Sequence, residues 1–252
     1  EQEAIKELSN KREFCEKIYF EASIENKKKE NIEELLKWLD KDEKSNFTIK
    51  YISYLFIAIT FIMIFLTITR KVSISNLILD LIINYLVIKL LTKRLSDVIS
   101  IFINNKKEIY KYSNMLSIIQ DENFKSKKLL SIQKGLVSSN INCKNEMKKL
   151  KNIISWLGDS TSNAYYLIVN VLFMSDIFIL ANLEEWKVKN GYKVRKWLDD
   201  MGEIEALISL STIAFEHDEW TYPTISGVNE IEAIELAHPL LGEKAKSNNF
   251  TL

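Results

Sequence analysis

The residues of this chain whose types and spacing best suit a chemical role are lysines. Residues 100–155 contain eleven lysines and only four acidic residues, which gives a local charge of +7. Such a block can follow the phosphates of a nucleic acid or the headgroups of anionic lipids, and the alternative is a solvated lysine face on a long helix. Our candidates for contact with DNA or another anionic surface are Lys125, Lys127, Lys128, Lys144, Lys148 and Lys149.

The neutrality of the whole chain conceals this basic block. The 34 basic and 34 acidic residues cancel, but residues 184–252 carry seven basic and 13 acidic residues and hence a charge of −6. Zero net charge is therefore no evidence against an anionic partner, because the field near a surface depends on the local charges.

Motifs for catalysis or metal binding are missing from the sequence. It contains no GxxxxGK[ST] phosphate loop and no GxGxxG, HExxH or GxSxG pattern. Cys15 and Cys143 show no CxxC spacing and only two histidines are present, so neither a zinc site nor a disulfide framework is predicted. Glu203 and Glu205 fit helix-surface groups better than an acid–base pair. We expect no self-contained catalytic or metal site.

The elements that position these residues are predicted to be helices. The chain has six glycines and two prolines in 252 residues, and residues 1–134 contain neither type. A stretch of that length without turn-forming residues is typical of helices joined by polar connectors. The predicted fold class is therefore all-α, a long-helix bundle with an apolar helical hairpin and a short β-structure at the C-terminus.

An apolar hairpin is predicted at residues 51–91. Tyr51–Thr69 carries no charge over 19 residues, and a helix of that length spans about 28 Å, close to the thickness of a bilayer core. Val72–Leu91 is also long enough, but Asp80 lies mid-span with Asn84 one turn later, and a carboxylate at that depth costs about 2.5–3.5 kcal/mol. Asp80 must therefore face the partner helix or be protonated. The lysine-rich flanks predict soluble parts in the cytoplasm, at the cytoplasmic membrane.

Further segments have apolar or helical patterns. The apolar run Ala164–Leu183 is interrupted by polar residues, which favours a buried helix of a soluble domain over a third membrane span. Apolar residues recur at every seventh position within Leu129–Leu157, which predicts a coiled-coil-like stripe on one long helix. One face of another helix is predicted between residues 197 and 215, and Asp199 and Asp200 suit its N-terminal end. The residues of this face are Trp197, Met201, Ile204, Ile208, Ser211 and Phe215.

Six motifs occur in order along the C-terminal third of the chain. They are YYLIVNVLFMSDI at Tyr165–Ile177, LEEW at Leu183–Trp186, KWL at Lys196–Leu198, EIEALISLSTIAFEHDEWTYP at Glu203–Pro223, ELAHPLL at Glu235–Leu241 and SNNFTL at Ser247–Leu252. Their order and spacing resemble the helical core and the entry to the ATPase domain of MutS-related DNA mismatch repair proteins. More narrowly, the chain resembles the short MutS-like branch whose N-terminal region contains predicted membrane helices. The resemblance covers about 90 residues.

The resemblance implies a cofactor and a set of residues near it. In this family the phosphate loop of the ATPase follows next, so ATP and Mg would bind to the full-length parent and neither would bind to this fragment alone. By the same resemblance, the residues at the lip near the nucleotide are His238, Pro239, Asn248 and Phe250. Asn249 stands where the family usually has Asp after Asn, which removes one charge.

The resemblance also implies partners. These are double-stranded DNA and a second copy of the chain, joined as a homodimer through the absent ATPase domain. Tyr19, Phe20 and Glu21 are only superficially similar to the mismatch-reading Phe-x-Glu of longer family members, and they belong to an amphipathic helix. No mismatch-reading domain is therefore expected in this fragment.

These observations predict four segments and one leading function. The segments are N-terminal amphipathic helices at 1–48, a transmembrane hairpin at 49–95, a MutS-like helical lever and core at 96–227, and the start of a truncated ATPase domain at 228–252. The predicted function is that of a membrane-anchored fragment of a MutS-like DNA mismatch repair ATPase, whose helical core couples the ATPase to DNA engagement. The alternatives are a membrane-tethered helical scaffold without nucleotide or DNA function, and a soluble protein with the hairpin buried.

Overall fold

Helices dominate the structure, a computed structural model. It describes residues 1–23, 32–41, 47–91, 95–138, 141–157, 164–225, 227, 230–238, 241 and 244–252. The helices are α1 (Gln2–Ser9), α2 (Arg12–Ser23), α3 (Ile32–Asp40), α4 (Phe47–Ile68), α5 (Ile74–Leu91), α6 (Leu95–Asn104), α7 (Lys106–Asp121), α8 (Lys127–Leu136), α9 (Cys143–Ser155), α10 (Ala164–Phe173) and α11 (Ser175–Glu216). The strands are β1 (Val137–Ser138), β2 (Ile141–Asn142), β3 (Glu232–Leu236) and β4 (Asn248–Thr251). The all-α prediction with a short C-terminal β-structure is confirmed.

The described residues form two compact units, Glu1–Glu216 and His217–Leu252. The first unit contains every helix from α1 to α11, and the second contains the β3–β4 sheet. The boundary between them follows the last residue of α11 directly. The division into four segments that the sequence suggests stays a prediction.

The helix α11 is central to the first unit and runs without a break for 42 residues. It packs against α1, α3, α8 and α9. The large apolar side chains that it buries include Leu183, Trp186, Val194, Trp197, Met201, Ile204 and Leu207. The helix predicted at 197–215 is its C-terminal part, and the expected N-terminal end at Asp199 and Asp200 is wrong. The helix continues through these aspartates because apolar residues recur at helical spacing on both sides of them.

The apolar stripe predicted on one long helix is divided between α8 and α9. Its buried members are Leu129, Leu136, Cys143, Leu150 and Leu157. Between the two helices the chain passes through the antiparallel β1–β2 ladder, so the single long helix is wrong. Gly135, a poor helix former, lies at the end of α8. A cap then starts α9, since Oδ1 of Asn142 accepts a hydrogen bond from the N–H of Asn145 at 3.1 Å.

The helices α4 and α5 form the predicted apolar hairpin. Arg70 in the turn has a φ of 56°, in the left-handed region that often ends a helix, and it takes this position in a stretch without glycine. Both helices are long and apolar enough to cross a membrane. Seventeen of their large apolar side chains are exposed. This exposure contradicts the alternative in which the hairpin is buried within the soluble part of the described chain.

The third apolar run is two helices rather than one. The axes of α10 and α11 differ by 69° at a break between Phe173 and Ser175. Met174 at the break has a φ of 49°, and its side chain is buried with Ile88 and Ile177. This packing stabilises a break that no glycine or proline marks in the sequence. The expectation of one helix is therefore wrong, and α10 packs on α4 and α5.

The second unit is built on a short antiparallel ladder. Ala233 lies opposite Phe250 and Leu236 lies opposite Asn248, with an irregularity between the two pairs. Glu235, within this irregularity, has a φ of 53°. Every residue of both strands except Ala233 is exposed, so these strands bury no core of their own among the described residues.

Candidate functional site

The six candidate lysines all lie on the helical unit. Lys125 precedes α8, Lys127 and Lys128 begin it, and the other three candidates lie on α9. Both helices pack against α7 and α11, which fixes the backbone positions of the lysines in the bundle. The basic block is therefore part of an ordered helical surface, as its position in the sequence predicts.

Half of these candidate lysines are already paired with carboxylates. The ion pairs are Lys128 with Glu203, Lys144 with Asp121, and Lys149 with Glu146. The ammonium groups of Lys125, Lys127 and Lys148 form no ion pair within the part of the chain that the structure describes. Three of the six candidates are thus available to an anionic partner without breaking an internal pair.

Glu146 is the centre of a buried polar network between α9 and α11. Its side chain is only 6% exposed. Its Oε1 accepts hydrogen bonds from Nζ of Lys189 at 2.8 Å and from Nζ of Lys149 at 2.9 Å, and its Oε2 accepts one from Nδ2 of Asn190 at 3.1 Å. Trp186 donates its indole N–H to the Glu146 carbonyl at 2.8 Å. The network therefore joins the two helices through both side chain and backbone.

The electrostatics of this network identify it as a structural feature. Burial by itself raises the pKa of Glu146, but the hydrogen bonds from Lys189, Lys149 and Asn190 outweigh burial, and the pKa lies below its usual value. A carboxylate that stays ionised and fully hydrogen-bonded is a poor proton acceptor near neutral pH. The sequence analysis missed this network because Lys189 and Asn190 follow Glu146 by 43 and 44 residues, with no motif linking them.

The carboxylate inside the apolar hairpin has a partner on the opposite helix. The Thr60 hydroxyl of α4 donates to Oδ2 of Asp80 at 2.8 Å and accepts a hydrogen bond from Nδ2 of Asn84 at 2.7 Å. Thr60 and Asn84 are fully buried. Nδ2 of Asn84 also lies 3.4 Å from the carbonyl oxygen of Val171, on α10. Asp80 therefore faces its partner helix, which is one of the two outcomes that the sequence analysis expects for it.

Two of the residues that the resemblance places near a nucleotide, Asn248 and Phe250, lie on β4, and His238 lies two residues after the end of β3. His238 and Asn248 are at the same end of this sheet, because Asn248 lies opposite Leu236, two residues before His238. Phe250 lies two residues further along β4. All three are exposed, while Pro239 lies outside the described residues. The structure thus places two of the four residues on this small sheet and a third just beyond its end.

Asn249, the departure from the family pattern, has a structural role in this sheet. Its Oδ1 accepts a hydrogen bond from the backbone N–H of Glu235 at 2.9 Å. Glu235 is the residue with positive φ, so the bond satisfies a donor where the ladder is irregular. The sequence contains no signal for this contact, because it depends on the register of two strands.

A cavity of about 570 Å³ lies between α1, α2 and α11. Tyr19, Phe20 and Phe215 line it together with Arg12 and Cys15. Burial raises the pKa of the Cys15 thiol, which makes it a poor nucleophile. Among the described residues, no group of three or more His, Cys, Asp or Glu side chains is placed to hold a metal ion.

Comparison with known proteins gives the chain no relative. No family model, no curated protein and no solved structure matches it. The MutS-like relationship therefore stays a prediction carried by the six ordered motifs. The helical fold and the two apolar helices follow from the structure itself.

Proposed function

We propose that this chain is the membrane-anchored helical core of a MutS-like ATPase that engages double-stranded DNA. The observation that carries the proposal is α11, a single helix of 42 residues. It packs on the hairpin helices α4 and α5, it also packs on α1, α3, α8 and α9, and it ends at Glu216, directly before the second unit begins. A continuous helix of this length is suited to transmit movement between an anchor and an ATPase domain.

The exposed surface of the hairpin supports the membrane anchor. Burial of a large apolar side chain contributes about 1.5–3 kcal/mol, and α4 and α5 together leave seventeen such side chains exposed. Exposed apolar patches of that extent mark interaction surfaces in stable proteins. Within the hairpin, Asp80 is hydrogen-bonded to the partner helix, which is how ionisable groups are accommodated in membrane spans.

The unpaired lysines support contact with DNA. Lys125, Lys127 and Lys148 lie on an ordered helical surface, and three phosphate contacts would give a measurable salt dependence of binding. ATP and Mg would be bound by the ATPase domain of the parent, with His238 and Asn248 at its lip.

A membrane-tethered helical scaffold is the second candidate function. Its support is the pairing of Lys128, Lys144 and Lys149 with carboxylates, because paired lysines stabilise a bundle and offer little charge to a polyanion. It requires only the hairpin and the helical bundle. DNA binding and the sequence of the gene beyond Leu252 distinguish the two candidates.

Flotation with phosphatidylcholine vesicles tests the membrane anchor. The chain is expected to float with the vesicles and to stay bound after an alkaline carbonate wash. Leu86→Arg places a charge on the exposed hairpin face at a cost of about 2–4 kcal/mol and should reduce the floated fraction. Leu210→Arg, on α11, is the matched control, since Leu86 is 51% exposed and Leu210 is 49% exposed. A wild-type chain that stays in the aqueous fraction without detergent would remove the anchor.

Salt-dependent DNA binding tests the nucleic-acid role. The pair of substitutions Lys127→Ala and Lys148→Ala should reduce the slope of log affinity against log salt by about 2, since each phosphate contact contributes about 0.9. Lys37→Ala with Lys41→Ala is the control, because both of these lysines are also exposed and lie outside the candidate set. No detectable binding at low salt would favour the scaffold.

The coding sequence beyond Leu252 tests the ATPase assignment directly. A MutS-like parent requires a GxxxxGK[ST] loop within about 30 residues downstream, because the phosphate loop follows the strand that β4 represents in the resemblance. Absence of that loop from the gene would refute the ATPase assignment, whatever the outcome of the flotation experiment.

A further inference from the structure

The first turns of α11 run antiparallel along α4, the first helix of the hairpin. Nζ of Lys50 donates to Oδ1 of Asn182 at 3.2 Å, and four residues deeper the rings of Tyr54 and Phe178 lie 4.9 Å apart. The four residues from Lys50 to Tyr54 on α4 thus lie beside the four residues from Asn182 back to Phe178 on α11. Lys50 is at the polar end of the apolar span, so α11 descends beside α4 from that end.

Continued along the same register, the break at Met174 falls near the middle of α4. Phe61 of α4 and Phe173 of α10 have ring centroids 5.8 Å apart, which fits this position. The eight residues from Asn182 back to Met174 correspond to about 12 Å along the helix axis. This distance is close to half the thickness of a bilayer core. The Asn84 amide near the Val171 carbonyl agrees, because Asn84 is central in α5.

The surface of α10 is apolar on the side that faces away from the hairpin. Tyr165 is 74% exposed, and Leu167 and Ile168 are 55% and 56% exposed. The described residues of α10 carry no charge. A helix with this surface would be costly in water but is favourable in hydrocarbon.

The polar groups at the break are hydrogen-bonded to one another. The Tyr166 hydroxyl donates to Oδ1 of Asp176, and Nδ2 of Asn170 donates to Oδ2 of Asp176 at 2.6 Å. The N–H of Asp176 donates in turn to Oδ1 of Asn170 at 3.0 Å. Irregular backbone at membrane depth is tolerated where such groups are satisfied internally, and here the side chains of α10 provide the bonds.

We propose that α10 is a third intramembrane segment, which lies against the hairpin and ends at the bend near the middle of the bilayer. Its partner is the hydrocarbon of the lipid, contacted by Tyr165, Leu167 and Ile168. The proposal rests on the membrane anchor proposed above, since α10 is embedded only if α4 and α5 are. It makes the anchor a packed group of helices with an internal polar cluster rather than a simple hairpin.

Photolabelling from within the bilayer tests this arrangement. The full chain is incorporated into phosphatidylcholine vesicles that contain a lipid with an aryl-diazirine at the end of one acyl chain, and labelled residues are identified by mass spectrometry. We expect labels on Leu167 or Ile168 and on exposed hairpin residues, and none on Tyr192, which is 73% exposed on the soluble part of α11. A labelled hairpin with unlabelled α10 overturns the proposal and leaves the anchor intact. No label on either overturns both.

Alkylation from the aqueous phase provides a second measurement. Leu167→Cys and Tyr192→Cys are each made in a Cys15→Ser chain, in which the remaining Cys143 is fully buried. With a charged maleimide, the thiol at 167 should react at least about tenfold more slowly than the thiol at 192, because hydrocarbon disfavours the reactive thiolate. After denaturation in dodecyl sulfate the two rates should agree. Equal rates in intact vesicles would show that α10 faces water.

Discussion

The Glu146 network predicts a large and pH-dependent loss of stability in a Glu146→Gln variant. Glutamine keeps the shape of the side chain and an acceptor for Asn190, but it removes the charge that binds Lys149 and Lys189. A hydrogen bond to a charged group contributes about 1.5–3 kcal/mol when it is shielded from water. Here the two lysine side chains are 60% and 48% exposed, so water can hydrate their ammonium groups once the carboxylate is lost. We therefore assign about 1 kcal/mol to each of the two lost hydrogen bonds. The expected loss is about 2 kcal/mol at neutral pH.

The loss of stability in Glu146→Gln should depend on pH. The pKa of Glu146 is lower in the folded chain than in the unfolded chain, so its contribution is present above the unfolded pKa and disappears as the pH falls through the folded pKa. Glutamine does not titrate. The difference in unfolding free energy between wild type and Glu146→Gln should therefore be about 2 kcal/mol near pH 7 and should shrink well below pH 4.

Urea unfolding in a mild detergent measures this difference, with tryptophan fluorescence as the probe because Trp186 is bonded to Glu146. In thermal unfolding, about 2 kcal/mol corresponds to a decrease of roughly 4–8 °C in Tm for a chain of this size. Glu16→Gln is the control, since Glu16 pairs with Arg12 at a site where it is 64% exposed, and its loss should stay below about 1 kcal/mol. An equal loss at neutral and acidic pH would refute the role of the charge.

Three more predictions concern single residues. Gly202→Ala should stabilise α11 by about 0.5–1 kcal/mol in urea unfolding, because nothing lies within 4 Å of the added Cβ. Gly135→Ala should stabilise the chain less than Gly202→Ala, because its Cβ would lie 2.9 Å from Oδ2 of Asp200 and the carboxylate must move. An equal gain in the two variants would contradict this contact. Thr60→Val should lower the free energy of unfolding in dodecyl sulfate by about 1 kcal/mol, because it removes the hydroxyl that donates to the Asp80 carboxylate. An unchanged free energy would show that this hydrogen bond does not stabilise the hairpin. Burial, followed by nearby carboxylates, raises the pKa of Tyr112 to about 12, so the free energy of unfolding should decline as the pH rises from about 10 to about 12. In an ultraviolet titration, the tyrosine that ionises last should be absent from Tyr112→Phe. This variant should also be more stable than wild type in that pH range.

The features that the sequence predicts well are those carried by local pattern. The 19 uncharged residues of Tyr51–Thr69 suffice to predict a long apolar helix, and the structure has α4 there. The buried positions Trp197, Met201 and Ile204 follow from helical periodicity alone. Such signals depend only on neighbours along the chain, so no knowledge of tertiary contacts is needed.

The features that the sequence does not predict are set by contacts between distant residues. The break between α10 and α11 occurs at Met174, which normally favours helix, because the buried side chain packs with Ile88 from another helix. Asp200 lies in the interior of α11 rather than at its start, next to Gly135 of α8. For the candidate lysines, composition indicates a basic block, but only the fold decides that Lys128 and others are neutralised by partners.

The length of α11 also has a mechanical consequence. At 1.5 Å per residue its 42 residues extend about 63 Å, from Ser175 beside the hairpin to Glu216. If α11 and the helices packed on it tilt together about the hairpin end, a tilt of about 5° displaces Glu216 by roughly 5 Å, about one helical turn. Helices embedded in a bilayer change tilt when its thickness changes, at a cost of only fractions of a kcal/mol per ångström. If α4 and α5 form the membrane anchor proposed above, a small change in lipid thickness would be magnified into a movement of several ångströms at Glu216.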